Sequence, residues 1–312
     1  MSSWQARVVN MSARAVLRRQ DWGDRDALTR RARHVFGAPR AFQRILTLGL
    51  RHDPVRAGRT CGEWLTPRAA LPGVILYVHG GGFVSCSAAT HRPITAALAR
   101  FSARRVFSVD YRLAPEHPFP AAHQDVLAAY EWLLETGVPA SAIALAGDSA
   151  GGNLALALAV RLRESGGPQP ACIVVFSPWT DLAGTGATVR TNDGHDSMFR
   201  PGNLTAFASA YLEGARPDDP NVSPAYAVLS GLPPLLVHVG STELLLDDAR
   251  RIHASIYSSG GTCRLRVFDD VTHCWQMFAP LVPEATESLR EAAAFIAEYV
   301  GGGAGGLRPG RG

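Results

Sequence analysis

The chain has 312 residues, 46% apolar and 19% charged, an ordinary composition for a globular protein able to bury a large core. Its formal charge of +4 is carried by arginine alone, because the sequence contains no lysine. That absence excludes Schiff-base chemistry, lysine-anchored pyridoxal phosphate, the phosphate-binding P-loop and Ser-Lys hydrolases. The arginines are dispersed, with no basic run interleaved with aromatics, so no nucleic-acid partner is expected.

Residues 1–50 are largely helical in pattern, with Arg7, Arg14, Arg18 and Arg19 interrupting their apolar positions, which speaks against a signal peptide. No later stretch approaches the roughly 20 consecutive apolar residues that a membrane span needs. The five cysteines (Cys61, Cys86, Cys172, Cys263 and Cys274) are scattered and lack C-x-x-C pairing, so they read as free thiols and not as a disulfide or metal framework. A cytoplasmic protein with no membrane span is the expectation.

Pro54–Leu65 suits two antiparallel edge strands, interrupted by Gly58 and Gly62. Apolar, β-branched runs then recur at Val74–Val78, Arg105–Tyr111, Ile143–Ala146, Cys172–Phe176, Leu235–Val239 and Arg264–Phe268. Such runs fit strands buried on both faces of a parallel sheet. Helix-compatible stretches lie between or after them, at Thr90–Phe101, Ala121–Thr136, Gly152–Ser165, Asp247–Ser258 and Glu284–Val300. The alternation predicts a doubly wound α/β domain over residues 51–178 and 232–300. Residues 179–231 break it and, with residues 1–50, are expected to cap the carboxyl edge of the sheet, where open α/β sheets bind ligands. Residues 301–312, nearly all Gly, Arg and Pro, read as a disordered tail.

The strand ending at Ala146 runs into Gly147-Asp148-Ser149-Ala150-Gly151-Gly152-Asn153 and then an Ala- and Leu-rich helix. Strand, tight turn and helix around G-x-S-x-G make the context of a nucleophile elbow, where only small residues fit on either side of a strained serine. His79-Gly80-Gly81-Gly82-Phe83 follows another buried strand and can aim backbone donors at a developing oxyanion. Gly81, Gly82 and Ala150 are the N–H groups assigned to that role, and His79 is read as pinning the loop. Ser149 needs a base, and of ten histidines only His273 follows the last strand. For the acid, Glu243 stands in the turn after Leu235–Val239, whereas Asp247 and Asp248 suit the first turn of the next helix. Cys274, beside His273, is read as a small wall residue.

Together His79-Gly80-Gly81-Gly82, Asp110-Tyr111-Arg112-Leu113-Ala114-Pro115-Glu116 with Pro118–Ala122, Gly147–Asn153 and Val222-Ser223-Pro224 resemble the hormone-sensitive-lipase-like esterases of the α/β-hydrolase superfamily, from about Cys61 to Val300. The resemblance implies an eight-stranded, mostly parallel sheet with helices on both faces and a helical cap. It also implies a cofactor-free serine carboxylesterase acting on small-molecule esters with short to medium acyl chains. The family usually has aspartate where this chain has Glu243. Asp148 and Asn153 are expected to brace the elbow, and Arg112, Pro115 and Pro118 a supporting loop. Phe83, Met198, Phe199 and Tyr211 are the candidate pocket walls. The same machinery serves lactones and amides, and the Thr272–Trp275 neighbourhood looks similar to lactone-hydrolysing relatives, so these alternatives stay open. A non-catalytic ligand-binding protein on the same scaffold is disfavoured by the presence of His273. The edge strand Arg264–Phe268 offers pairing across a homodimer.

Overall fold

The computed structural model describes residues 2–20, 25–37 and 46–301, so most of the expected disordered tail lies outside the described residues. Among the described residues, the helices α1 (Trp4–Val16) and α2 (Arg25–Val35) precede the sheet. The first strands are β1 (Leu50–Ala57) and β2 (Thr60–Pro67), an antiparallel pair joined at Gly58, whose φ of +58° suits a tight reversal. They are followed by β3 (Leu71–Val78), α3 (Arg92–Ser102), β4 (Arg104–Val109), α4 (Ala121–Glu135), β5 (Ile143–Asp148) and α5 (Ser149–Glu164). After β6 (Cys172–Phe176) come α6 (Thr188–Thr191) and α7 (Pro201–Leu212), and the chain ends with β7 (Leu235–Gly240), α8 (Leu246–Ser258), β8 (Cys263–Phe268) and α9 (Pro283–Tyr299). The eight strands form one sheet in the order β1-β2-β4-β3-β5-β6-β7-β8. β2 alone runs opposite in direction to the other seven strands.

Two-residue periodicity sorts the central strands between two cores. Val74, Leu76, Val78, Leu145, Ile173 and Val175 face one layer, packed with Val126, Leu133, Leu154 and Leu158 from α4 and α5. Ile75, Tyr77, Ala144, Ala146, Val174 and Phe176 face the other, with Ile94 and Leu98 from α3 and Leu289 and Ile296 from α9. With both faces covered, β3, β5, β6 and β7 carry near-continuous apolar runs, interrupted in β7 by His238.

The inserted segment and the N-terminal helix meet over the carboxyl edge of the sheet. Arg14 donates to the carbonyls of Gly194 and His195 at 2.6 and 2.8 Å. Arg18 donates to the carbonyls of Asp196 and Phe199 and pairs with Asp193. Charge-assisted bonds to backbone carbonyls thus tie two segments nearly two hundred residues apart.

Candidate active site

β5 delivers the chain into α5 with no intervening loop, and the turn residue is Ser149, held in the left-handed region at φ +50°. A non-glycine residue there is strained and persists because its surroundings over-determine it. The glycines beside it leave no alternative. A Cβ on Gly147 would lie 2.5 Å from the Gly151 carbonyl oxygen, and one on Gly151 would lie 2.0 Å from that of Val78. The helix therefore begins at Ser149, three residues earlier than the Gly152 start read from the sequence, and Ala150 lies in the first turn, whose N–H groups have no partner within the helix.

Asp148 anchors the elbow to the neighbouring glycine loop. Its carboxylate accepts the Tyr77 hydroxyl at 2.6 Å and the Gly80 N–H at 3.0 Å, and it faces His91 Nε2 at 3.2 Å and the Cys274 thiol at 3.5 Å. Burial alone would raise its pKa, but these partners hold it below the usual carboxylate range. His79 is buried and neutral: burial and the nearby His91 pull its pKa down to about 3. Its Nδ1 lies 2.7 Å from the Gly80 carbonyl and its ring stacks on Tyr111 at 4.2 Å, consistent with a loop-pinning role. Arg112 clamps Asp125 through two oxygens at 2.8 Å, and Asn153 reaches the carbonyls of Trp179 and Val222, each at 2.9 Å.

The glycine loop has left-handed φ at Gly81 (+109°) and Gly82 (+61°), and both line the cavity that contains Ser149. A Cβ on Gly81 would meet the Ser85 carbonyl at 2.4 Å, and one on Gly82 would meet the Phe207 ring of α7 at 2.6 Å.

His273 follows β8 and points its Nδ1 at Glu243 Oε2, 2.6 Å away. Both side chains are almost fully buried. The other carboxylate oxygen of Glu243 accepts the Ser177 hydroxyl at 2.7 Å and the Gly240 N–H at 2.6 Å. Those two donors accommodate the extra methylene of glutamate. Burial lowers the His273 pKa, but the charge and hydrogen bond of Glu243, with smaller contributions from Asp196 and Asp148, outweigh it, so the net direction is upward from 6.5. Asp247 and Asp248 sit in the first turn of α8, as the sequence suggests.

Ser149, His273, Gly81 and Gly82 open on one cavity of about 620 Å³. Met198 and Phe199 line it as anticipated, and Phe199 sets its ring edge-to-face on His273 at 5.3 Å. Phe83 and Tyr211 do not line it and must be corrected. They stack on each other at 3.8 Å, and the Tyr211 hydroxyl is spent on His123 Nδ1 at 2.8 Å, which makes them packing between the glycine loop and α7. The walls that the sequence did not reveal are Leu17, Val35 and Phe36 from the N-terminal segment, Trp179, Leu204 and Phe207 from the insertion, and Met277–Leu281 after His273. Ser177 also went unread. Its signal is slight, a serine directly after β6 with φ +46°.

A serine on a strand-to-helix turn that shares a cavity with a carboxylate-bound histidine, at the carboxyl edge of a parallel sheet, defines an α/β hydrolase, and the alpha/beta hydrolase fold family matches residues 75–277. The chain belongs to the hormone-sensitive-lipase-like esterases of that superfamily. It is 39% identical over 251 residues to an acetyl-hydrolase of Streptomyces hygroscopicus, covering 80% of this chain and 84% of that one. It is 37% identical over 257 residues to an esterase of Acinetobacter venetianus, covering 82% and 84%. Among solved structures, an esterase from the bacterial hormone-sensitive lipase family superposes with a TM-score of 0.87 at 40% identity, over 96% of this chain and all of the other. Another esterase, EstE5, superposes with a TM-score of 0.87 at 34% identity, over 96% and 99%.

Proposed function

We propose that this carboxylic ester hydrolase works through an acyl-enzyme on Ser149. The His273 imidazole takes the Ser149 proton as Oγ attacks the ester carbonyl, and the N–H groups of Gly81, Gly82 and Ala150 hold the oxyanion. Collapse of the tetrahedral intermediate breaks the bond to the alcohol oxygen, which His273 protonates. Water, deprotonated by His273, then attacks the acyl carbonyl, and the carboxylic acid leaves as Ser149 is reprotonated. Glu243 accepts a hydrogen bond from Nδ1–H, fixes the tautomer that leaves Nε2 free as base, and stabilises the imidazolium between steps. The observation that carries this reading is the 2.6 Å contact between His273 Nδ1 and Glu243 on a cavity shared with the strained Ser149.

Among the described residues the cavity lining is overwhelmingly apolar and holds no arginine, which supports small uncharged esters with short to medium acyl chains. Residues 179–231, with the described part of residues 1–50, are the cap we propose, supported by the Arg14 and Arg18 bonds. Five free thiols support a reducing, cytoplasmic setting, and the edge position of β8 supports a homodimer that sedimentation would detect. Among the described residues no helix is long and apolar enough to cross a membrane.

Hydrolysis of p-nitrophenyl acetate, butyrate and octanoate by wild type and Ser149→Ala tests the reading. Loss of about a thousandfold or more is the expected result. A mutant as fast as wild type on every ester would sink it. Matched lactone and amide substrates in the same assay assign the preferred acyl linkage.

A further inference from the structure

The inserted segment does more than roof the cavity. Asn192 donates to the carbonyl of Glu243 at 2.8 Å, and Ser197 donates to the hydroxyl of Thr272, the residue before His273, at 2.9 Å. Between them Asp196 is 2% exposed, a carboxylate taken out of water in a site whose proposed mechanism has no use for it. Leaving a charge there is costly unless every lone pair is used. One oxygen accepts the N–H groups of Met198 and Phe199, at 2.7 and 2.8 Å, and so sets the turn that carries both cavity walls. The other accepts the N–H of Leu244, next to Glu243, at 2.9 Å. A carboxylate serving only its own turn would not reach across to the acid loop. These partners are backbone N–H groups, which satisfy the oxygens without cancelling the charge. On the outer side Arg18 binds the Asp196 carbonyl and the Asp193 carboxylate.

We propose that Asp196 is a positioning residue for the acid–histidine pair: it locks the Glu243 loop and the Phe199 wall into one register and supplies a further negative charge, besides those of Glu243 and Asp148, that favours the imidazolium of His273. The inference rests on the reading of His273 as the base. The charged groups around that imidazole are Glu243 after β7, Asp148 at the end of β5 and Asp196 from the insertion, with the Cys274 thiol kept neutral by burial. Asp196 is the one that comes from the cap side, so the cap contributes to the electrostatics of the base as well as to the shape of the pocket.

The test is kcat and KM against pH on p-nitrophenyl acetate and octanoate for Asp196→Asn, Asp196→Ser and Asp196→Glu. Ser149→Ala is run in parallel, and folding is checked by thermal melting and fluorophosphonate labelling. Serine keeps an acceptor for the local turn while removing the charge. In the neutral variants the acid limb of kcat/KM is expected to move to lower pH by about half a unit or more, because an opposite charge near an imidazolium raises its pKa. The acetate kcat should fall about 5- to 50-fold, with its KM within about twofold. Asp196→Glu should return the limb to its wild-type position. An unmoved acid limb in a folded, labelled neutral variant overturns the inference. So does a loss confined to the KM for octanoate, which would make Asp196 a wall support only. Failure of both neutral variants to fold overturns it as well, since the role would then be structural. A wild-type rate in Ser149→Ala would bring down the acyl-enzyme reading together with this one, whereas an unmoved limb brings down this one alone.

Discussion

Glu243, the proposed acid, stands where the family commonly has aspartate, and the structure gives the reason it can. Glutamate places Oε2 on His273 while Oε1 is received by the Ser177 hydroxyl and the Gly240 N–H, so the longer side chain gains donors at its second oxygen. Glu243→Gln should remove the charge and disturb the tautomer, lowering kcat about 10³- to 10⁴-fold. Ser177→Ala should cost about 5- to 20-fold in kcat/KM, the loss of about one buried hydrogen bond to a charged group; an unchanged value would show that Gly240 suffices. If His273 is the proposed base it must be neutral to act, and with its pKa raised above 6.5, kcat/KM should fall as pH drops through a midpoint above that value. That Ser149, His273 and Glu243 come together at one end of the sheet was legible, because order along the chain and position after strands point to them. The misassigned walls were not, because Phe83 and Tyr211 are aromatic and in the right segments, and only their mutual stacking takes them off the cavity.

Helices and strands were readable nearly to the residue where apolar periodicity is strong, as at β6 and α8. Their ends shifted where a functional constraint overrides propensity, and α5 begins on the strained serine itself. The amino end of α8 carries a testable electrostatic device. Asp248 Oδ2 accepts the N–H groups of Thr180 and Asp181 at 2.7 and 2.8 Å, pinning the start of the inserted segment to the helix. Burial, only partly offset by those bonds, pushes its pKa up to about 7. A carboxyl whose folded pKa lies above its unfolded value favours the folded state while protonated, and that stability is lost as pH rises from about 4 through about 7. Wild type should therefore have a lower urea midpoint at pH 8.5 than at pH 5.5, and Asp248→Asn should remove much of that dependence. Parallel pH profiles for the two proteins would refute the assignment.

At the scale of the whole molecule, the sheet and its two apolar layers supply the stability, and the N-terminal helix and the insertion shape the cavity from outside them. Removing the ties between these two segments should change substrate handling before it changes folding. In Arg14→Ala/Arg18→Ala, KM for p-nitrophenyl octanoate should rise about 3- to 10-fold, more than for acetate, while the melting temperature moves by a few degrees at most. A fall in melting temperature with KM unchanged would place these arginines in the fold instead. The sequence by itself determined the α/β alternation, the elbow, the glycine loop and the histidine that meets Glu243, because each is written in short-range spacing: two-residue periodicity, small residues around a strained turn, a histidine after the last strand. The tertiary structure alone decided which aromatics face the substrate, how Ser177 receives the second oxygen of Glu243, and that Asp196 reaches the acid loop 48 positions away. Those contacts depend on how layers pack and where loops cross, and no local pattern of residues encodes a distance between segments that meet only once the sheet has formed.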